Sequence, residues 1–343
     1  MYRKHWFVIF LLLAGVVACK KEFIESSFTG FEKPSNFPEP AYHFNTNTVS
    51  KAGFELGRKI FFDPILSADN SISCGSCHIP TAAFSHNGHS VSHGIHNLLG
   101  TRNSPAIMNL AWSTSFMWDG GIFDLDLQPV APITNPVEHN ETMANVLQKL
   151  RNSSVYPSLF EKAFGTTDIN NVNFSKALSQ FMLMCVSSNS KYDSVMRAQG
   201  PAFTLEEQQG YELVKQKCTH CHAEPLFTDH SFRNNGILPS GINDSGRFKV
   251  TLNPLDKYTF KVPSLRNLSF TSPYMHDGRF FTLEAVLDHY TDHVQPTENL
   301  DPFFQLGSSL GISLTAPEKL QVLAFLKTLD DRKFVTNPLL SEH

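Results

Sequence analysis

Cys74-Gly75-Ser76-Cys77-His78 and Cys218-Thr219-His220-Cys221-His222 carry one pattern twice, Cys-x-x-Cys-His. Two thiols three positions apart lie on one side of a helical turn, where they can bond both vinyl groups of one haem. The adjacent His then reaches the iron from one face. Disulfides, a zinc site or a thioredoxin-like redox pair are the competing uses of such cysteines. Zinc would need further ligands at ordered spacing, and a redox pair would not repeat with a His after each copy. The pattern predicts two covalent c-type haems, attached through Cys74, Cys77, Cys218 and Cys221, with His78 and His222 on the irons.

Working outward, the flanks repeat too. Gly53-Phe54-Glu55-Leu56 precedes the first cluster as Gly210-Tyr211-Glu212-Leu213 precedes the second. Downstream, Pro105, Asn109-Leu110 and Met117-Trp118-Asp119-Gly120 are matched in step by Pro263, Asn267-Leu268 and Met275-His276-Asp277-Gly278. Two copies of one domain account for this. Thr204-Leu205-Glu206-Glu207 and Thr315-Ala316-Pro317-Glu318 are capping boxes that open helices. Leu283, Val286, Leu287 and Tyr290 fall on one helical face, and no long alternating strand pattern appears. The fold class predicted is mainly α: two cytochrome c-like haem domains in tandem with long loops. The N-terminal domain is expected over 51–202 and the C-terminal one over 203–333.

The 343 residues suffice for two domains, and 28 basic against 32 acidic residues with no basic block argue against a nucleic-acid partner. Arg3 and Lys4 precede an apolar run too short to span a membrane, ending Val16-Val17-Ala18-Cys19. That pattern predicts a lipoprotein-type signal over 1–19, with Cys19 lipidated and the mature protein in the periplasm or cell envelope. A plain signal peptide or an uncleaved anchor is the alternative. Residues 20–50 carry Pro34, Pro38, Pro40 and several Asn and Thr without an apolar period, and are expected to form a tether. The last cysteine, Cys185, sits in an apolar run and is expected to fill the core.

Leu56-Gly57-Arg58-Lys59-Ile60-Phe61-Phe62-Asp63-Pro64-Ile65-Leu66-Ser67, Arg102-Asn103-Ser104-Pro105, Trp118-Asp119-Gly120, Pro263-Ser264-Leu265-Arg266-Asn267 and Ser272-Pro273-Tyr274-Met275-His276-Asp277-Gly278 complete the picture. In this order they resemble the bacterial di-haem cytochrome c peroxidase and MauG family, from about residue 51 to 330. The resemblance implies a peroxidatic haem at His78 and an electron-entry haem at His222. It places a catalytic carboxylate at Glu138, a catalytic amide at Gln128, and an electron-relaying indole at Trp118. From the sequence alone Glu138 would more often be a solvated loop charge and Trp118 a core aromatic, a role compatible with electron relay. The resemblance also puts His276 at a haem propionate, and Ca²⁺ between the domains on Asn103 and the carbonyls of Thr271 and Pro273.

Distal ligands are where the chain departs from the family pattern. The first-domain ligand position is Ile95, flanked by His93 and His96 in a loop that also holds His86 and His89. The expectation is an open iron with His93 and His96 as reserve ligands. In the second domain the peroxidases' Met position is occupied by Tyr290, as in MauG, so Tyr290 is the candidate distal ligand and His289 the alternative.

The resemblance implies an exported peroxidase that reduces hydrogen peroxide with electrons from a small cytochrome c or cupredoxin. The alternatives are a MauG-like oxidase acting on a protein or organic substrate and a non-catalytic electron carrier. A homodimer is also compatible with the family.

Overall fold

The computed structural model describes residues 28–342. The expected signal segment and Cys19 lie outside the described residues. Twelve α-helices carry the described chain: α1 (Lys51–Phe62), α2 (Cys74–Cys77), α3 (Val130–Thr134), α4 (Met143–Asn152), α5 (Tyr156–Phe164), α6 (Asn171–Leu183), α7 (Lys191–Met196), α8 (Leu205–Lys217), α9 (Phe248–Thr251), α10 (Leu283–Asp288), α11 (Ala316–Lys327) and α12 (Arg332–Val335). The one sheet among the described residues is a two-stranded antiparallel ribbon of β1 (Phe232–Arg233) and β2 (Phe260–Lys261). Long Gly-, Pro- and Asn-rich loops join the helices, as expected of a mainly α chain with long loops.

Each copy is built on a crossing of its first and last long helices, α1 on α6 and α8 on α11. Glycine permits both crossings. A Cβ at Gly57 would collide with the Ala177 carbonyl, and one at Gly210 with the Gln321 carbonyl. Ser50 caps α1 by accepting from Gly53 N, while Thr204 and Thr315 cap α8 and α11 in the expected boxes. Phe54, Phe61, Phe84, Phe174 and Phe181 fill the first core and Val214, Phe227, Phe325 and Leu326 the second. Burial of each such side chain contributes about 1.5–3 kcal/mol. Cys185 lies in the first core, fully buried.

Packing redraws the expected boundaries. The described part of the expected tether is not a free linker. Phe37 is buried in the first core, with Phe28, Phe31, Tyr42, Phe44 and Val49 against it. Its apolar residues are aromatic and spaced irregularly, so no helical or strand period betrays them. The Trp112 indole donates to Pro38 O at 2.8 Å, fixing the segment on the domain. Tyr192 of α7 belongs to the second core, which places the change of core before α7, ahead of residue 202. Phe334, Val335 and Leu340, at the other end of the chain, return to the first core.

A buried ion pair binds this junction. Arg266 meets Asp193 through two hydrogen bonds of 2.8 Å, and both side chains are fully buried. Arg266 also donates to Pro225 O at 2.7 and 3.0 Å, next to the second Cys-His cluster, and lies over Phe37. The ion pair holds Asp193 below the usual carboxylate range despite burial, which opposes the shift. That stability is present above the unfolded-state value and is lost as pH falls through the lower folded value. Removing one partner strands a buried charge. Asp193→Ala is therefore expected to cost about 3–5 kcal/mol in denaturant unfolding, while Arg58→Ala, at a partly exposed position, serves as a milder control.

Candidate active site and haem cavities

Both Cys-x-x-Cys-His segments close with the same backbone bond, His78 N to Cys74 O at 2.9 Å and His222 N to Cys218 O at 2.8 Å. Each histidine is then fixed through Nδ1. His78 Nδ1 pairs with Phe84 O at 2.8 Å; His222 Nδ1 pairs with Phe227 O and Pro263 O, both at 3.1 Å. A carbonyl only accepts, so Nδ1 carries the proton and Nε2 is left as the coordinating nitrogen. Burial lowers the pKa of both imidazoles, which favours the neutral form a metal needs. The two accepting carbonyls, those of Phe84 and Phe227, belong to residues in left-handed backbone at φ +59° and +53°. Such strain at matched positions in both copies marks function.

These histidines border a cavity of about 530 Å³ whose wall includes Cys77, His78, Trp118, Gln128, Glu138 and His222. A second space of about 110 Å³ is bounded by Cys218, Cys221, His222, Met275, His276 and Tyr290. The donor set, the fixed Nδ1 atoms and the large, mostly apolar space fit a covalent haem in each domain. No disulfide consumes the four thiols.

On the first-domain side, Glu138 and Gln128 share the cavity wall with His78. Burial raises the Glu138 pKa, and the Asn135 side chain opposes this by donating to Glu138 Oε1 at 2.7 Å. Asn135 also accepts Val137 N–H at 3.2 Å, so one side chain sets both the loop and the carboxylate. Sequence reasoning passed over Asn135, whose one clue is its place three residues before Glu138. Gly94 lets the histidine loop close on this segment, since a Cβ there would strike the Val137 carbonyl; Ile95 N then donates to Glu138 O at 2.8 Å. Gln128 Nε2 approaches Met117 Sδ at 3.8 Å.

The reserve ligands lie elsewhere. His93 is engaged by His89 at 3.2 Å and by Asn97 at 2.8 Å, and His96 is exposed, 3.7 Å from Asp69. Neither lines the cavities beside His78; Ile95 between them is buried in the protein, and at His96 the backbone is left-handed (φ +53°) and the side chain exposed. His86 instead stacks on His89, and His93 meets both rings edge-on.

Trp118 borders both cavities and donates through Nε1 to Asn103 O at 2.8 Å. Its repeat partner His276 accepts Asn103 N–H on its backbone carbonyl at 2.8 Å, and its ring stacks on Phe260 at 3.7 Å. The Asn103 amide nitrogen reaches His89 O and Ser90 O at 3.3 and 3.2 Å, which leaves Oδ1 as the free end of the side chain; Asn103, Thr271 and Pro273 border the same cavity.

Tyr290 lies in a π-helical turn, His289–His293, that continues α10. Widening of the helix there, a feature concentrated at functional sites, separates the fates of neighbouring side chains. His289 Nε2 pairs with Asn235 O at 2.9 Å and faces no cavity, whereas Tyr290 borders the space beside His222 and stacks on Phe304. Burial pushes the Tyr290 hydroxyl up to about 12. Among the described residues no helix is long and apolar enough to cross a membrane.

Residues 51–200 match the family model described as di-haem cytochrome c peroxidase. The methylamine utilization protein MauG of Methylorubrum extorquens is 34% identical over 302 residues, 87% of this chain and 83% of that one. The chain belongs to the di-haem cytochrome c peroxidase and MauG family. The cytochrome c551 peroxidase of Pseudomonas aeruginosa is 31% identical over 317 residues, 88% of this chain and 86% of that one. A solved MauG-like protein associated with microbial copper homeostasis superposes with a TM-score of 0.79 at 30% identity, covering 90% of this chain and 98% of that one. This family member is an oxidoreductase with two c-type haems, on a mostly helical fold.

Asn135 yields a test that activity loss alone would not. Asn135→Leu removes a donor to the carboxylate, so the Glu138 pKa rises further and the acid limb of the kcat/KM profile for peroxide moves to higher pH. A merely structural role would lower the profile without moving that limb.

Proposed function

We propose that the chain is an exported peroxidase that reduces hydrogen peroxide to two waters, consuming two electrons and two protons. The observation that carries this reading is the buried Glu138 carboxylate, held by Asn135 and sharing a wall with Gln128 and His78. When bound, the haem supplies the electrons that cleave the O–O bond. Glu138 takes the proton from one peroxide oxygen and returns it to the departing one, and the Gln128 amide orients the peroxide by hydrogen bonding. Trp118, bordering both cavities, is the group through which electrons pass from the second domain. Their source is a small cytochrome c or cupredoxin.

Cys19 lipidation in the periplasm or cell envelope, calcium on Asn103 with the Thr271 and Pro273 carbonyls, and a homodimer belong to the same proposal. The signal-like start supports the first and the free Asn103 Oδ1 the second. Steady-state peroxide consumption with a reduced cytochrome donor checks the main claim. Glu138→Gln is expected to lower turnover 10²–10⁴-fold with both haems still attached; unchanged turnover would remove Glu138 from the mechanism.

One observation favours a MauG-like oxidase as the second reading: Tyr290 stands at the His222 cavity where a distal ligand would lie. A phenolate oxygen holds a haem at lower potential than a thioether does. Tyr290→Met is expected to raise the potential of the second haem, read by redox titration, and to leave it unmoved if Tyr290 is no ligand.

A further inference from the structure

We propose that Lys261 and His230 form the seat for a propionate carboxylate of the haem attached at Cys218 and Cys221. Lys261 lies on β2, on a wall common to both cavities, and its backbone N–H donates to Trp118 O at 2.7 Å. Its ammonium group has three N–H bonds and donates one, to Ser115 O at 2.7 Å. Asp119 is the acid whose charge reaches it, but the Asp119 oxygens are taken by Arg102 at 2.6 Å and Gly121 N–H at 3.0 Å. Burial pushes the Lys261 ammonium down to about 8, as expected for a cation without a close counterion.

His230 supplies an independent observation. Its Nε2 is buried without a hydrogen-bond partner, and its ring borders the main cavity within reach of the Lys261 charge. A buried cation lacking an anion and a buried ring nitrogen lacking a partner are each costly alone. Together on one cavity wall they define the place of an anion. The cofactor brings carboxylates to this wall, and an ammonium answers a carboxylate in charge and in hydrogen bonding. His276, expected at a propionate, stacks on Phe260, the chain neighbour of Lys261, so a third basic group stands beside the seat.

The test uses the holoprotein, with both haems first counted from its visible spectrum. Removing a cation beside a haem carboxylate favours the ferric form. Lys261→Met is expected to shift the reduction equilibrium of one haem about tenfold toward ferric, a fall of about 59 mV for one electron. Lys261→Arg should keep both potentials, and His230→Gln should move the same haem less. No shift overturns the proposal, and so does an equal shift of both haems, which a general loss of charge would give. A shift that depends on whether the buffer anion is phosphate or chloride assigns the seat to a free ion and also overturns it. Should Lys261→Met fail to take up haem, Lys261→Gln answers the same question with a polar side chain.

Discussion

Everything in the molecule hangs on the linker at Ser187, where the two copies grip one residue. Asn109 donates to Ser187 O and accepts Ser187 N–H, at 3.1 and 2.9 Å, while its repeat partner Asn267 donates to Ser187 Oγ at 2.9 Å. Both asparagines adopt left-handed backbone, φ +57° and +63°. Asp331 closes the knot by accepting Ser188 N–H and Asn189 N–H. Apart from Asn189, which is exposed, the partners here are buried, so those bonds are made without competing water and each loss leaves a neighbour unsatisfied. With Arg266 and Asp193 alongside, this knot fixes how the domains face one another. It thereby fixes Trp118 between their cavities.

Much of this was legible in the sequence, and the legible part was local or repeated. A one-turn spacing wrote the haem attachment sites, and two polar–hydroxyl boxes wrote the starts of α8 and α11. Duplication exposed Asn109 with Asn267 and Trp118 with His276. What stayed hidden depends on contacts distant in sequence. The aromatics of residues 28–50 look like linker because their partners, Trp112 and Arg266, come far downstream. Asn135, Lys261 and His230 are ordinary polar residues until folding buries them against a cavity. The histidine loop was hard to place for a related reason, since spacing puts His93 and His96 near the expected ligand position but the left-handed backbone at His96 and Asn97 sets where they lie.

The two cavities share one proximal design and differ in what stands opposite. The first presents an acid and an amide, Glu138 and Gln128. The second presents a buried phenol from a widened helical turn, an arrangement suited to holding a ligand rather than admitting a substrate. The matched domains thus differ in the side chains that face their cavities, while His78 and His222 are fixed in the same manner through Nδ1.

Phe334, Val335 and Leu340 complete the first core, and Arg58 of α1 donates to Leu339 O at 2.9 Å. Chains are made from the N-terminus, and leading domains ordinarily fold while the remainder is still emerging. Here the half made first is sealed by residues made last. The first core, as folded here, therefore cannot be completed before the second domain has been made.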